Sequence, residues 1–163
     1  MNLERWIQAV GRWTILCLAT VGFVGWAPYH LIPFRKFKGG GLLGTLVGWG
    51  LLWVLPTGPW FIVFTLGMIV LAVAVSDKAE QWLTHDDPRI VIDEVAGVWV
   101  AAVGITRDPV ALITIFIAFR VFDVFKGPWG RAAARWPGGW GIVADDLVAG
   151  VIANVLTRLL MQR

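Results

Sequence analysis

The sequence predicts an all-α, polytopic integral membrane helix bundle, with about four to six membrane helices and short or re-entrant N-terminal elements. Three observations carry that expectation. Hydrophobic residues make up 58% of the 163 positions and charged ones only 15%, against roughly a quarter charged in ordinary soluble domains. Eleven tryptophans and a mean hydropathy of +0.72 point the same way. The apolar residues gather in runs separated by short segments that hold most of the Lys and Arg.

Along the chain, residues 2–13 put Glu4, Gln8 and Arg12 on one helical face and Trp6, Val10 and Trp13 on another, the pattern of a helix lying at a membrane surface. Glu4 and the lack of a small-x-small cleavage site before Pro28 argue against a signal peptide. The apolar run 13–27 is short for an upright span of about 20 residues. It also has basic flanks on both sides, Arg5/Arg12 and Arg35–Lys38, so it is expected to be interfacial or re-entrant, with a full crossing as the alternative. Further apolar segments are expected over 42–55, 59–75, 90–105, 109–125 and 147–161. Gly40, Gly44 and Gly48 fall four apart, which suits close helix packing; a phosphate-contacting loop over 39–45 is the alternative. With no internal repeat or low-complexity tract, the chain reads as one membrane-embedded domain over 1–163. It divides into an interfacial or re-entrant part at 1–38 and a helical core at 39–163.

Lys and Arg argue the topology. If the basic segments 35–38, 78–89 and 126–135 face the cytoplasm, four spans alternate between residues 42 and 125. Asp86, Asp87, Asp93, Glu94, Asp123, Asp145 and Asp146 then converge on the cytoplasmic face, together with Arg89, Arg120 and Lys126.

Several functions are excluded early. A net charge of +3, scattered along the chain, does not suit a nucleic-acid partner. The single Cys17 excludes a disulfide framework and a Cys-based zinc site, and Phe23 stands where a Cys-x5-Arg phosphatase needs arginine. Neither His30 nor His85 lies in the Ser-Gly-His motif of lipid phosphatases that use a histidine nucleophile. Asp-x-Asp-x-Thr, the mark of the soluble aspartyl-phosphate class, is absent, and so is the Asp-Gly-x-x-Ala-Arg pattern of the CDP-alcohol phosphotransferases.

Three constellations remain. Asp93-Glu94 is an adjacent carboxylate pair inside an apolar run, with Asp86-Asp87-Pro88 just upstream. A helix start accommodates one acidic residue by its dipole, but two at membrane depth call for a partner, and oxygen-rich carboxylate clusters suit Mg²⁺. Arg120, Asp123 and Lys126 recur every three residues, either as an internal ion-pair ladder or with Asp123 on a metal and the two cations on a phosphate. Gly138-Gly139-Trp140-Gly141 precedes Asp145-Asp146, so backbone N–H groups around Gly139 and Gly141 could bind an anion beside a metal held by the second acidic pair. His85, next to Asp86, is an auxiliary proton-shuttle candidate, and Asp87 an auxiliary carboxylate. Trp129, Trp136 and Trp140 are expected at headgroup level.

These islands resemble the phosphatidylglycerophosphatase A family. Asp87-Pro88-Arg89-Ile90-Val91-Ile92-Asp93-Glu94-Val95-Ala96-Gly97 is similar to its Asp-Pro-x-x-Ile-Val-x-Asp-Glu-x-x-Gly stretch; residues 119–126 and 138–150 match two others. Lys126-Gly127-Pro128-Trp129 departs from the family's Lys-Pro-x-Pro, and Leu42 replaces a hydroxyl residue of its N-terminal Pro-Gly-Thr-x-Gly-Ser. The resemblance implies a Mg²⁺-dependent lipid phosphatase, hydrolysing phosphatidylglycerophosphate to phosphatidylglycerol at the cytoplasmic face of a bacterial inner membrane, multi-pass. Asp93, Glu94, Asp145 and Asp146 are expected to hold metal, with Asp123 joining them in catalysis. Arg120, Lys126, Gly139 and Gly141 are expected to bind phosphate. Water or an aspartate (Asp93 or Asp145) serves as nucleophile. Phosphatidic acid and polyprenyl phosphates are the alternative substrates, and a cation or proton transporter using intramembrane carboxylates is the alternative from another class.

Overall fold

The structure, a computed structural model, describes residues 3–28, 39–84 and 87–161. Within them every regular element is helical: α1 (Leu3–Ala19), a 3-10 turn (Val24–Trp26), α2 (Gly40–Leu51), α3 (Pro59–Ala79), α4 (Ile92–Ala102), α5 (Pro109–Val124), α6 (Pro128–Ala133) and α7 (Gly139–Met161). The linker Arg35-Lys36-Phe37-Lys38, His30, His85 and Asp86 lie outside the described residues.

Local chemistry explains the helix starts. Proline at the first position begins α3, α5 and α6, where its missing N–H would be unpaired in any case. Asp108 caps α5 by accepting from the Val110 and Ala111 N–H groups at 3.0 Å. Within the apolar helices the hydroxyls of Thr45, Thr65 and Thr114 donate to the carbonyl four residues back, while the buried Ser76 Oγ and Thr157 Oγ1 have no partner among the described residues.

The short α4 is the axis of the molecule. Nine of its eleven residues are buried, and α2, α3, α5 and α7 all pack on it. Beyond its acidic first turn the helix is apolar on every side, and here the neighbouring helices cover it. Small residues let its neighbours approach. A Cβ on Gly44 would lie 2.7 Å from the Val91 carbonyl oxygen, and one on Gly48 would lie 2.6 Å from Val98 Cγ1. The four-residue glycine spacing is therefore a packing stripe of α2 against the start and face of α4. On the other side, Gly97 of α4 lies beneath the Phe119 ring and the Asp146 carbonyl, and Gly150 of α7 rests on the Gly97 carbonyl.

Polar side chains close the far end. Arg107 donates to the Leu52 and Leu55 carbonyls at 2.7 Å, and its guanidinium stands 4.1 Å from the Phe61 ring centroid. Asn154 donates to the Ala101 and Val103 carbonyls, and Arg158 to Val103 as well, so the last carbonyls of α4 are satisfied.

The helical class is as expected, and the lengths of the helices add detail. Among the described residues one helix, α3, is long and apolar enough to cross a membrane, with 21 residues and a mean hydropathy of 2.2. At 12 and 11 residues, α2 and α4 fall well short of the roughly 20 an upright span needs, and α7, though 23 residues long, carries Asp145, Asp146 and Arg158. Of the multi-span pattern, the helical class is found, and one described helix meets the length and hydropathy of a span. The run 13–27 is likewise divided: α1 ends at Ala19, and Val21, Gly22 and Phe23 take positive φ.

Candidate active site

α4 begins at Ile92, so Asp93 and Glu94 occupy its first turn, where the free backbone N–H groups and the helix dipole favour negative charge. α7 begins at Gly139 rather than after Asp145-Asp146, which places that second pair inside its helix. The close Gly97–Gly150 crossing then brings the two pairs face to face. One carboxylate oxygen from each of Asp93, Glu94 and Asp146 lies within 4.8 Å of the others. Asp93 and Asp146 are buried, at 8% and 3% exposure.

Asp145 turns elsewhere. Its carboxylate takes the Lys126 ammonium and also accepts from the Asp146 N–H at 3.1 Å, so it stands beside the trio rather than in it. Lys126 lies beyond the end of α5 at Val124, so the three-residue spacing from Asp123 is not kept on a helix face. Burial works against the Lys126 charge, but the hydrogen bond and charge of Asp145 outweigh it and hold its pKa above the usual lysine range. Arg120 pairs with Asp123 and donates to Thr45 Oγ1 at 3.2 Å. The ladder reading thus holds for Arg120–Asp123 and fails for Lys126.

A cleft of about 440 Å³ opens over these groups, and Asp93, Glu94, Asp146, Arg120, Asp123 and Lys126 all line it. Gly41 completes the wall: a Cβ there would collide with the Glu94 carboxylate and reach within 3.5 Å of Arg120 Nη1. Gly41 and Thr45 come from the segment 39–45 weighed as a phosphate loop. The structure makes that segment the first turns of α2, with Gly41 bordering the cleft and Thr45 supporting Arg120. Nothing in the one-dimensional pattern links Thr45 to Arg120, 75 residues away.

Gly139 and Gly141 have a different duty from the one expected. The Gly139 N–H donates to Asp77 at 3.3 Å, and its Cα faces the backbone of α3 at Val73 and Asp77. Gly141 donates to Gly138 at 3.0 Å and packs on the Trp136 carbonyl. Both are buried helical glycines away from the cleft, because α7 starts earlier than the acidic pair implies. His85 falls outside the described residues.

Asp87 lines the cleft but is already engaged. Its carboxylate accepts from Arg89 Nε at 2.7 Å and Nη2 at 2.6 Å, and from Thr84 Oγ1 at 3.1 Å, while Arg89 stacks 4.7 Å above the Trp26 ring. Burial raises the Asp87 carboxyl, yet the Arg89 hydrogen bonds and charge prevail and hold its pKa below the usual range. A depressed carboxylate pKa contributes stability above the unfolded value, lost as pH falls through the folded one. The clasp is therefore expected to open only in acid below the usual carboxylate range. Hydrogen exchange at the Ile90 amide, which donates to the Asp87 carbonyl, should accelerate with acid in the parent and show no such acid step in Asp87→Asn. An identical acid profile in both proteins contradicts the role of the clasp.

The donor set can be tested against a cation. All ligands on offer are carboxylate oxygens, and Asp93 Oδ1 and Glu94 Oε2 are buried with no hydrogen-bond partner. Three carboxylates this close repel by about 3 kcal/mol per pair at an effective dielectric of about 20. A hard divalent cation relieves both problems at once, which fits Mg²⁺.

Residues 17–161 match the family model for phosphatidylglycerophosphatase A. The chain belongs to the phosphatidylglycerophosphatase A family. It is thereby a phosphatase, and the matched region contains every residue of the cleft. Similar proteins include the phosphatidylglycerophosphatase A of Escherichia coli, 32% identical over 77% of this chain and 79% of its own length. That of Haemophilus influenzae is 30% identical over 72% of the chain and 73% of its own length. A Bacteroides thetaiotaomicron protein, named provisionally as a phosphatidylinositol-3-phosphatase, is 30% identical over 76% of the chain and 82% of its own length. No solved structure matches the chain.

Proposed function

We propose that this phosphatase hydrolyses phosphatidylglycerophosphate to phosphatidylglycerol and phosphate, with Mg²⁺ held by Asp93, Glu94 and Asp146. The observation that carries the reading is the gathering of three clustered carboxylates and two cations in the lining of one cleft, which suits a metal and a phosphate side by side. Membership in the family and the names of the two phosphatidylglycerophosphatase relatives support the substrate. The protein works at the cytoplasmic face of a bacterial inner membrane, with α3 crossing and the shorter helices embedded around α4. Support comes from the apolar side chains left exposed on α3, α5 and α7, including Phe64, Leu66, Ile113, Ile117, Val151 and Val155.

Bound at the trio, Mg²⁺ supplies Lewis-acid neutralisation of phosphate charge and makes water more acidic. The chain does the rest. Arg120, braced by Thr45 and Asp123, presents a planar fork to phosphate oxygens. Lys126, at the rim and 41% exposed, adds a mobile point charge that can leave Asp145 for a phosphate. The buried floor keeps bulk water from the carboxylates, which strengthens each charge contact.

Purified protein should release phosphate from phosphatidylglycerophosphate faster than from phosphatidic acid, polyprenyl phosphate or phosphatidylinositol 3-phosphate, and EDTA should stop it until Mg²⁺ is restored. A preference for another lipid overturns the substrate. Release indifferent to EDTA overturns the metal.

A further inference from the structure

The cleft does not end at Lys126. A second cavity of about 380 Å³ begins there and runs under α6, with Lys126 and Asp145 at its head. A third, of about 560 Å³, continues between α6 and α7. Trp129, Val148 and Ile152 line both of these, so the three volumes share walls in sequence from the charged cleft outward. The helical period gives the same path independently. Asp145, Val148 and Ile152 are three and four residues apart and lie along one face of α7, about 11 Å from first to last. One helix face thus changes from a carboxylate at the phosphate end to bare aliphatic surface two turns later. The outer groove is walled almost wholly by apolar side chains, with the exposed rings of Trp129 and Trp136 at its edges.

We propose that this track is the acyl-chain subsite of the lipid phosphate. One fatty chain of the molecule whose phosphate sits in the cleft passes Lys126 and lies between α6 and α7. The inference rests on the lipid phosphatase reading above and adds to it a determinant of chain recognition. The occupant is set by continuity: a ligand with an anionic head at Arg120 and Lys126 and a long apolar tail fits charged cleft and apolar groove together, whereas a soluble phosphate ester fits only the first. α6 is the lid of the track. Gly130 in α6 has no side chain, and a Cβ there would lie 3.6 Å from Lys126 Cβ and 3.9 Å from Asp145 Cβ, so α6 sits directly over the junction of head and tail.

The test fills the groove without touching the cleft. Val148→Trp enters it from α7, and Ala132→Trp from the exposed side of α6. Each should lower kcat/KM for dipalmitoyl phosphatidylglycerophosphate by about tenfold or more, through KM, because several buried CH₂ contacts are lost. Neither should change turnover of the dihexanoyl analogue, whose tails are too short to reach the groove. Equal losses on both substrates, or no loss on either, overturn the proposal.

Where a tryptophan variant does not fold, photolabelling of the parent protein decides. A phosphatidylglycerophosphate with a diazirine at the end of one chain should label Trp129, Val148 or Ile152, and phosphatidylcholine with the same chain should label them weakly. Equal labelling by both lipids means that the groove holds ordinary bilayer lipid and sinks the proposal. Failure of the enzymatic reading looks different: the parent then releases no phosphate from any lipid phosphate, whatever the groove labels with.

Discussion

Asp146→Asn should reduce phosphate release by about a thousandfold, the loss expected when a preorganised charge at a phosphoryl-transfer centre is removed. The reason is position. Asp146 is the one residue of α7 in the carboxylate trio, so removing its charge leaves Asp93 and Glu94 as a two-residue remnant. Asp145→Asn should be milder, because Asp145 faces Lys126 and lies beside the trio. Reversal of that order, with Asp145→Asn the more damaging, would show that the ligand set has been drawn from the wrong member of the pair.

A second readout of Asp146→Asn does not depend on turnover. With metal chelated and the pH raised until the three carboxyls ionise, they repel, and neutralising one should raise the melting temperature above that of the parent. On adding Mg²⁺ the order should invert. A ligand at a hundred times its Kd stabilises by about 2.7 kcal/mol, and only the parent retains the full donor set. Thermal unfolding in detergent, with and without Mg²⁺, checks both signs. Parallel curves for parent and variant in both conditions would argue that no cation binds at the trio.

Gly150→Leu should destabilise the bundle by about 3 kcal/mol and abolish activity, although Gly150 is a full turn from Asp146 and touches no ligand. A side chain there meets the Gly97 carbonyl and comes within 3.1 Å of Val100 Cβ. Backbone cannot rotate aside as a flexible side chain can, so α4 and α7 must separate. The carboxylates that face each other across that crossing separate with them. Gly67→Ala is the control. Gly67 lies in the middle of α3 with open space around it, and alanine there should stabilise slightly through helix propensity. Chemical denaturation of both variants decides. A Gly150→Leu protein that keeps wild-type stability would mean that the close crossing is not what assembles the site.

Much of the molecule was legible before any coordinates. Pro59 and Pro109 mark helix starts because proline at a first helical position removes only an N–H that would be unpaired. The Gly40, Gly44 and Gly48 spacing reports a close helix contact because residues four apart share a face. Carboxylates in apolar sequence announce a site because hydrocarbon does not tolerate them unpartnered. Three other features were not legible. Gly139 and Gly141 resemble an anion-binding turn in sequence, but the same glycines serve equally where α7 leans on α3, and only the start of the helix distinguishes the two. Lys126 keeps the spacing of a helical ladder, but α5 ends two residues before it. The number of membrane crossings was not legible because hydropathy reports that a segment is buried and cannot say whether lipid or protein buries it. α4 is enclosed by other helices.

The sequence by itself determined the helical class, the residue types of the site and their gathering at one end, since each follows from local period and charge. Only the tertiary structure decided which carboxylate of the Asp145-Asp146 pair joins Asp93 and Glu94. Adjacent helical residues point about 100° apart, so the rotation of α7 selects Asp146 for the trio and turns Asp145 to Lys126, and that rotation is held by glycine contacts 53 residues apart in sequence, at Gly97 and Gly150.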